Sequence, residues 1–228
     1  MPANAPPFEV LVVTGRGGDV PWEKFIKVLD DHGQNIEITI LFRIDEGSLE
    51  PFLRRRHARF VAALADRGVR ALRAIGPGPV RPQVAWAPFA GVHLRGDPTP
   101  DDLRSARGLG PPGGIVGGAY HLPARPLPPR LDYALVAPVF APRSSRGKRP
   151  MGLAGLRAFV AAQAQTGVPV VALGGLRPDR VAALREAGAA AVAGITCFLG
   201  PPEVVVQDGP AVLAAWRRAR EGARDAAT

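Results

Sequence analysis

In the last 98 residues of the chain, three apolar runs end in glycines, small hydroxyls and basic residues, a set of groups suited to gripping an anion. Leu131–Val136 leads through Ala137-Pro138-Val139-Phe140 into Ala141-Pro-Arg-Ser-Ser-Arg-Gly-Lys148. Val168–Leu173 ends at Gly174-Gly175, and Ala190–Ala193 ends at Gly194-Ile195-Thr196. Glycine carries no Cβ, so backbone N–H groups there approach a phosphate closely, and a helix that follows adds its positive end. The candidate phosphate-binding residues are therefore Gly174, Gly175, Gly194, Ile195 and Thr196, with hydroxyls from Ser144 or Ser145 and charge from Lys148. A tight turn alone would also place Gly174 beside Gly175. Two glycine exits together with a hydroxyl-basic loop favour the phosphate reading.

A proton carrier working near neutral pH is most simply a histidine. His121 follows the apolar run Gly114–Gly117 and its continuation Gly118-Ala119-Tyr120, and it is the one histidine at such an exit. It is the candidate general acid/base, the alternative being a loop residue that hydrogen-bonds locally. His93 lies inside a run and reads as a packed residue, whereas His32 and His57 read as surface. Acids at the exits are sparse: Asp45 and Asp97 fall short of a Mg²⁺ or Zn²⁺ shell. No metal site is expected, with Asp97 the ligand to consider if Mg²⁺ is used.

These residues need elements to position them. Apolar runs recur at intervals of roughly 20–35 residues: Val10–Val13, Ile36–Phe42, Val69–Ile75, Gly91–Leu94, Gly114–Gly117, then the three above. Continuous apolarity fits strands buried on both faces of a parallel sheet. Eight such units predict a single (β/α)₈ barrel, whose active site lies at the strand C-termini. Helices are expected at Pro21–Leu29, Leu49–Asp66, Leu153–Gln165, Pro178–Ala187 and Pro210–Glu221. The prolines of Leu122–Pro129, and Pro77, Pro79 and Pro82, reduce two other connections to loops. The expected organisation is a flexible N-terminus over 1–7, one barrel over 8–221 and a flexible tail over 222–228.

Composition bounds the class. In 228 residues, 46% hydrophobic and 21% charged, a sizeable core is available and global disorder is not expected. A single cysteine, Cys197, excludes an intrachain disulfide framework and suits a reducing cytoplasm. Residues 1–7 lack the pattern of a signal peptide, and no apolar stretch approaches the roughly 20 residues that span a bilayer. A cytoplasmic protein with no membrane partner is expected. The net charge is +9, and Lys24, Lys27 and Lys148 are the only lysines, so the excess is arginine. Aromatics are only 6% and do not interleave with the arginines, and the densest run, Arg54-Arg55-Arg56-His57-Ala58-Arg59, reads as a solvated helix face. No nucleic-acid partner is expected.

Several segments, in order, resemble the thiamine phosphate synthase/TenI family: Gly91-Val-His-Leu-Arg-Gly-Asp97, Asp132-Tyr-Ala-Leu-Val-Ala-Pro-Val-Phe140, Arg143-Ser144, Pro169-Val-Val-Ala-Leu-Gly-Gly-Leu176 and Ala187-Gly-Ala-Ala-Ala-Val-Ala193. The match is specific from about Gly91 to Gly200 and topological before that. The resemblance implies a (β/α)₈ barrel that binds thiazole phosphate or thiamine phosphate, and it admits a homodimer. In the synthase, a pyrimidine diphosphate is joined to thiazole phosphate with Mg²⁺. The TenI branch contains thiazole tautomerases that aromatise the thiazole phosphate by proton transfer without metal.

The chain departs from the synthase pattern where the metal would be held. The family's Asn-Asp-Arg after strand three reads Ala74-Ile75-Gly76-Pro77, and its Gly-Gln-Glu-Asp after strand four reads Arg95-Gly96-Asp97-Pro98. Its Thr-x-Thr-Lys reads Pro142-Arg143-Ser144-Ser145, and strand two keeps Arg43 without the Glu-Lys that usually follows. His121 stands where the tautomerase branch has its acid/base histidine, while Arg43 or Arg143 would pair with a carboxylate or phosphate of the ligand. The resulting expectation is a TenI-like isomerase acting on a small phosphorylated substrate without a cofactor. The alternatives are a thiamine phosphate synthase using Mg²⁺, or a barrel that binds a phosphorylated ligand without catalysis.

Overall fold

The structure, a computed structural model, describes residues 5–14, 22–43, 57–76, 88–121, 126–142 and 149–225. Eight parallel strands close into a barrel in sequence order: β1 Val10–Val13, β2 Ile38–Phe42, β3 Arg70–Ile75, β4 Gly91–Leu94, β5 Ile115–Tyr120, β6 Tyr133–Val136, β7 Val170–Leu173 and β8 Ala191–Gly194. The seam pairs Val10 with Val192. The architecture is the (β/α)₈ barrel expected from eight doubly buried apolar runs.

Alternation along each strand divides the core in two. One set of side chains fills the barrel, among them Leu11, Leu41, Leu72, Leu135 and Val171. The other packs outward against the helices: Val12, Ile40, Val92, Val136 and Val192 belong to it. The barrel floor is aromatic. Tyr133 stands over its register partner Gly117, where a Cβ would come within 2.1 Å of the ring. Phe8 meets the same ring edge-to-face with centroids 4.8 Å apart, and His93 stacks on it with centroids 5.6 Å apart. Gly117 is required there because the phenol occupies the space of a side chain.

The described helices are α1 Trp22–His32, α2 His57–Ala65, α3 Pro100–Leu109, α4 Gly152–Ala162, α5 Val181–Glu186, α6 Thr196–Leu199 and α7 Pro202–Asp225. Two differ from the expectation by omission. Helix α3 opens on a reciprocal cap in which Thr99 and Asp102 each satisfy the other's backbone N–H. Helix α6 is a single turn directly after β8. Helix α7 starts at Pro202 rather than Pro210, which lies inside it, and it continues past Glu221 to Asp225. Its buried stripe of Val205, Val212, Leu213 and Trp216 crosses the proline, so packing holds the helix through the missing N–H. The segment expected as a helix over Pro178–Ala187 is a 3₁₀ turn, Pro178–Arg180, followed by α5.

Candidate active site

A cavity of about 980 Å³ opens at the C-terminal ends of the strands. Period two explains its rim. Above the barrel-filling residues Leu41, His93, Ala119, Leu173 and Ala193, the next positions on the same face are Arg43, Arg95, His121, Gly175 and Ile195, and all of them line the cavity. Of the residues expected from sequence, the cavity therefore gathers His121, Arg43, Gly174, Gly175, Gly194, Ile195 and Thr196. Arg143, Ser144, Ser145 and Lys148 lie outside the described residues.

The β7 exit is built by crowding as well as by turn geometry. Gly174 has φ 113°, and a Cβ there would sit 2.8 Å from the Pro138 Cβ and 3.0 Å from the Phe140 carbonyl oxygen. Gly175 has φ 60°, with the Ala141 carbonyl oxygen 2.8 Å from the place of a Cβ. Both are left-handed positions that glycine adopts without penalty. At the β8 exit a Cβ on Gly194 would lie 2.5 Å from Cys197 Sγ. The structure corrects one element of the sequence reading: the elements after these exits are a three-residue 3₁₀ turn with a six-residue helix, and one four-residue helix. Such short segments sum few peptide dipoles, so an anion here would rely on backbone amides and arginines.

Among the described residues, four arginines line the cavity: Arg43, Arg95, Arg177 and Arg180. The Arg43 amide is anchored on Thr14 Oγ1 at 2.9 Å. Arg95 Nε leans on the Ile75 carbonyl at 3.4 Å. Arg177 pairs with Asp179 at 3.3 Å, and Arg180 donates to the Gly175 carbonyl at 2.7 Å with its guanidinium 4.5 Å over the Phe140 ring. Arg95, Arg177 and Arg180 were not singled out from sequence. For Arg95 the signal was its position two residues beyond His93 on a strand.

Both histidines of this region line the cavity, in opposite environments. His93 is buried, its Nδ1 is 2.9 Å from the Tyr133 hydroxyl, and burial, aided by Arg95 and Arg43, pushes its pKa down to about 3. It is a neutral floor residue, in keeping with its reading as packed. Burial also raises the Tyr133 hydroxyl well above the usual phenol range, with Asp132 adding to the shift, so this contact is between neutral groups. His121 is exposed, and Asp97 holds it twice: its backbone N–H donates to Oδ1 at 2.8 Å and its Nδ1 lies 3.0 Å from Oδ2.

Among the described residues, which do not include Asp45, the donor set does not fit a divalent cation. Among the described residues no three His, Cys, Asp or Glu side chains stand together in a metal-binding group. Asp97 directs both oxygens at His121. A hard cation needs several oxygens, and this carboxylate is already engaged.

The family model described as thiamine monophosphate synthase matches residues 79–198. The chain is 37% identical over 120 residues to a thiamine-phosphate synthase of Methanoregula boonei, covering 50% of this chain and 53% of the relative. It is 32% identical over 133 residues to the thiamine biosynthesis bifunctional protein ThiED of Geobacter sulfurreducens, covering 57% of this chain and 26% of that one. The chain thus spans about half the length, or less, of these curated relatives. Among solved structures, a thiamine phosphate pyrophosphorylase from Pyrococcus furiosus superposes with a TM-score of 0.69 at 20% identity, over 93% of this chain and 97% of that one, which speaks to the fold. No helix among the described residues is long and apolar enough to cross a membrane.

Proposed function

The chain belongs to the thiamine monophosphate synthase family, and from that premise we propose that it is a thiazole tautomerase-like isomerase acting on a small thiazole phosphate. The observation that carries the proposal is His121 on the cavity wall with both oxygens of Asp97 turned onto it. The acid that would face a metal–diphosphate is engaged by a proton carrier instead. In this reading the amides around Gly174, Gly175, Gly194, Ile195 and Thr196 hold the phosphate, and Arg143, Ser144 and Ser145, outside the described residues, are further candidates for it. Arg43 meets a second polar group of the ligand. His121 takes a proton from one atom of the ring and returns it to another, so the reaction needs no co-substrate. A fixed phosphate keeps the ring within reach of the imidazole during the transfer.

The names of the relatives favour a second reading, a thiamine phosphate synthase. It would require Mg²⁺, and the described residues hold no group of three or more metal-ligating side chains.

His121→Ala tests the proposal. Thiazole phosphate should still bind, as measured by calorimetry, while its isomerisation, followed by proton NMR, falls by about 10²–10⁴-fold. Unchanged isomerisation in the variant would remove His121 from the mechanism.

A further inference from the structure

The register of β4 and β5 sets the relation between Asp97 and His121. Leu94 pairs with Gly118, and three residues beyond each partner stand Asp97 and His121. The chain reaches Asp97 through two left-handed residues, Gly96 at φ 81° and Asp97 itself at φ 55°. Aspartate is among the few non-glycine residues that accept such a conformation. The Asp97 amide donates to the Ala119 carbonyl at 2.9 Å, which fixes the turn against β5. The carboxylate is thereby delivered edge-on to His121, one oxygen to the backbone amide and one to the ring.

An exposed ion pair of this kind adds little stability: the two side chains are 47% and 38% accessible. Its consequence is chemical. A carboxylate only accepts hydrogen bonds, so a neutral imidazole that places Nδ1 on it must carry its proton on Nδ1. Nε2 then holds the lone pair. No described residue hydrogen-bonds Nε2, and the residue lines the cavity.

We propose that Asp97 is the positioning residue of this site: it locks neutral His121 as the Nδ1–H tautomer and presents Nε2 to the ligand as a proton acceptor. The inference rests on the proposed function for its catalytic meaning, but the tautomer is testable without any substrate. The alternative chemistry for the same carboxylate, ligation of a cation, would leave His121 without its partner.

Asp97→Asn separates the possibilities with little change of shape, since asparagine also tolerates positive φ. The His121 backbone N–H still demands an acceptor, so the new amide oxygen stays there and its NH₂ falls against Nδ1. That arrangement suits the opposite tautomer, with the proton on Nε2. The imidazole ¹⁵N–¹H spectrum at pH 8, with the His121 signals assigned by their loss in His121→Gln, should show an unprotonated Nε2 in the wild-type protein and a protonated Nε2 in Asp97→Asn. Isomerisation should fall by about 10²–10⁴-fold with the KM for thiazole phosphate nearly unchanged. A wild-type His121 protonated on Nε2 overturns the inference whether or not the variant folds, and so does a tautomer that Asp97→Asn leaves alone. An inverted tautomer with undiminished turnover would uphold the positioning and instead defeat the role of His121 as proton carrier.

Discussion

Burial of His93 against the Tyr133 ring makes the fold sensitive to acid. Folding lowers the pKa of this base from 6.5 to about 3, so the unfolded chain takes up the proton first. The contribution to stability is complete above pH 6.5 and is lost as the pH falls from 6.5 toward 3. The slope from this one group is at most about 1.4 kcal/mol per pH unit. Urea unfolding between pH 4 and 7 should show stability rising with pH, and His93→Gln should flatten that rise by about one proton's worth. An equal slope in both proteins would mean that the ring is protonated in the folded state. His93 and His121 illustrate what single residues disclose. A histidine inside an apolar run reads as packed, and one at a strand exit reads as a candidate acid/base or a locally hydrogen-bonded loop residue, because strands bury their middles and open at their ends. The partner of His121 was hidden: 24 residues separate it from Asp97, and only the β4–β5 register brings them together.

At the level of elements, the β7 exit is the part of the site most dependent on glycine. Gly174→Ala must accept both a left-handed φ and contact with Pro138. Gly167, at the other end of the same β-unit, is also left-handed at φ 65° but has open space where a Cβ would go. Gly167→Ala should therefore cost about 1 kcal/mol from backbone strain alone, and Gly174→Ala about 1–3 kcal/mol more from crowding. Urea denaturation of the two variants measures the difference, and equal losses would show that Pro138 yields freely. The strands could be read from sequence because burial on both faces demands unbroken apolarity. Helix α3 could not be read from its apolar pattern, since Leu103 and Ala106 are its buried residues and charges surround them. Its readable signal was the cap, Thr99-Pro100-Asp101-Asp102. Helix α7 was shortened at Pro210 because proline suits a first turn, while the stripe from Val205 to Trp216 runs through it.

For the molecule as a whole, the proposed reading gives the barrel a rim that holds an anionic ligand and a histidine that carries a proton. The described residues do not bring together acids that would hold a metal. The net charge of +9 and the arginines around the cavity draw anions toward the mouth. On the proposed reading the barrel isomerises a phosphorylated ring instead of running a metal-assisted condensation. Incubating the purified protein with the non-aromatic thiazole phosphate, first in EDTA and then with Mg²⁺ and the pyrimidine diphosphate, separates the two reactions by NMR. The account predicts aromatisation of the thiazole in EDTA and no thiamine phosphate when Mg²⁺ and the pyrimidine diphosphate are added. Thiamine phosphate formed with Mg²⁺, with no aromatisation in EDTA, would contradict it.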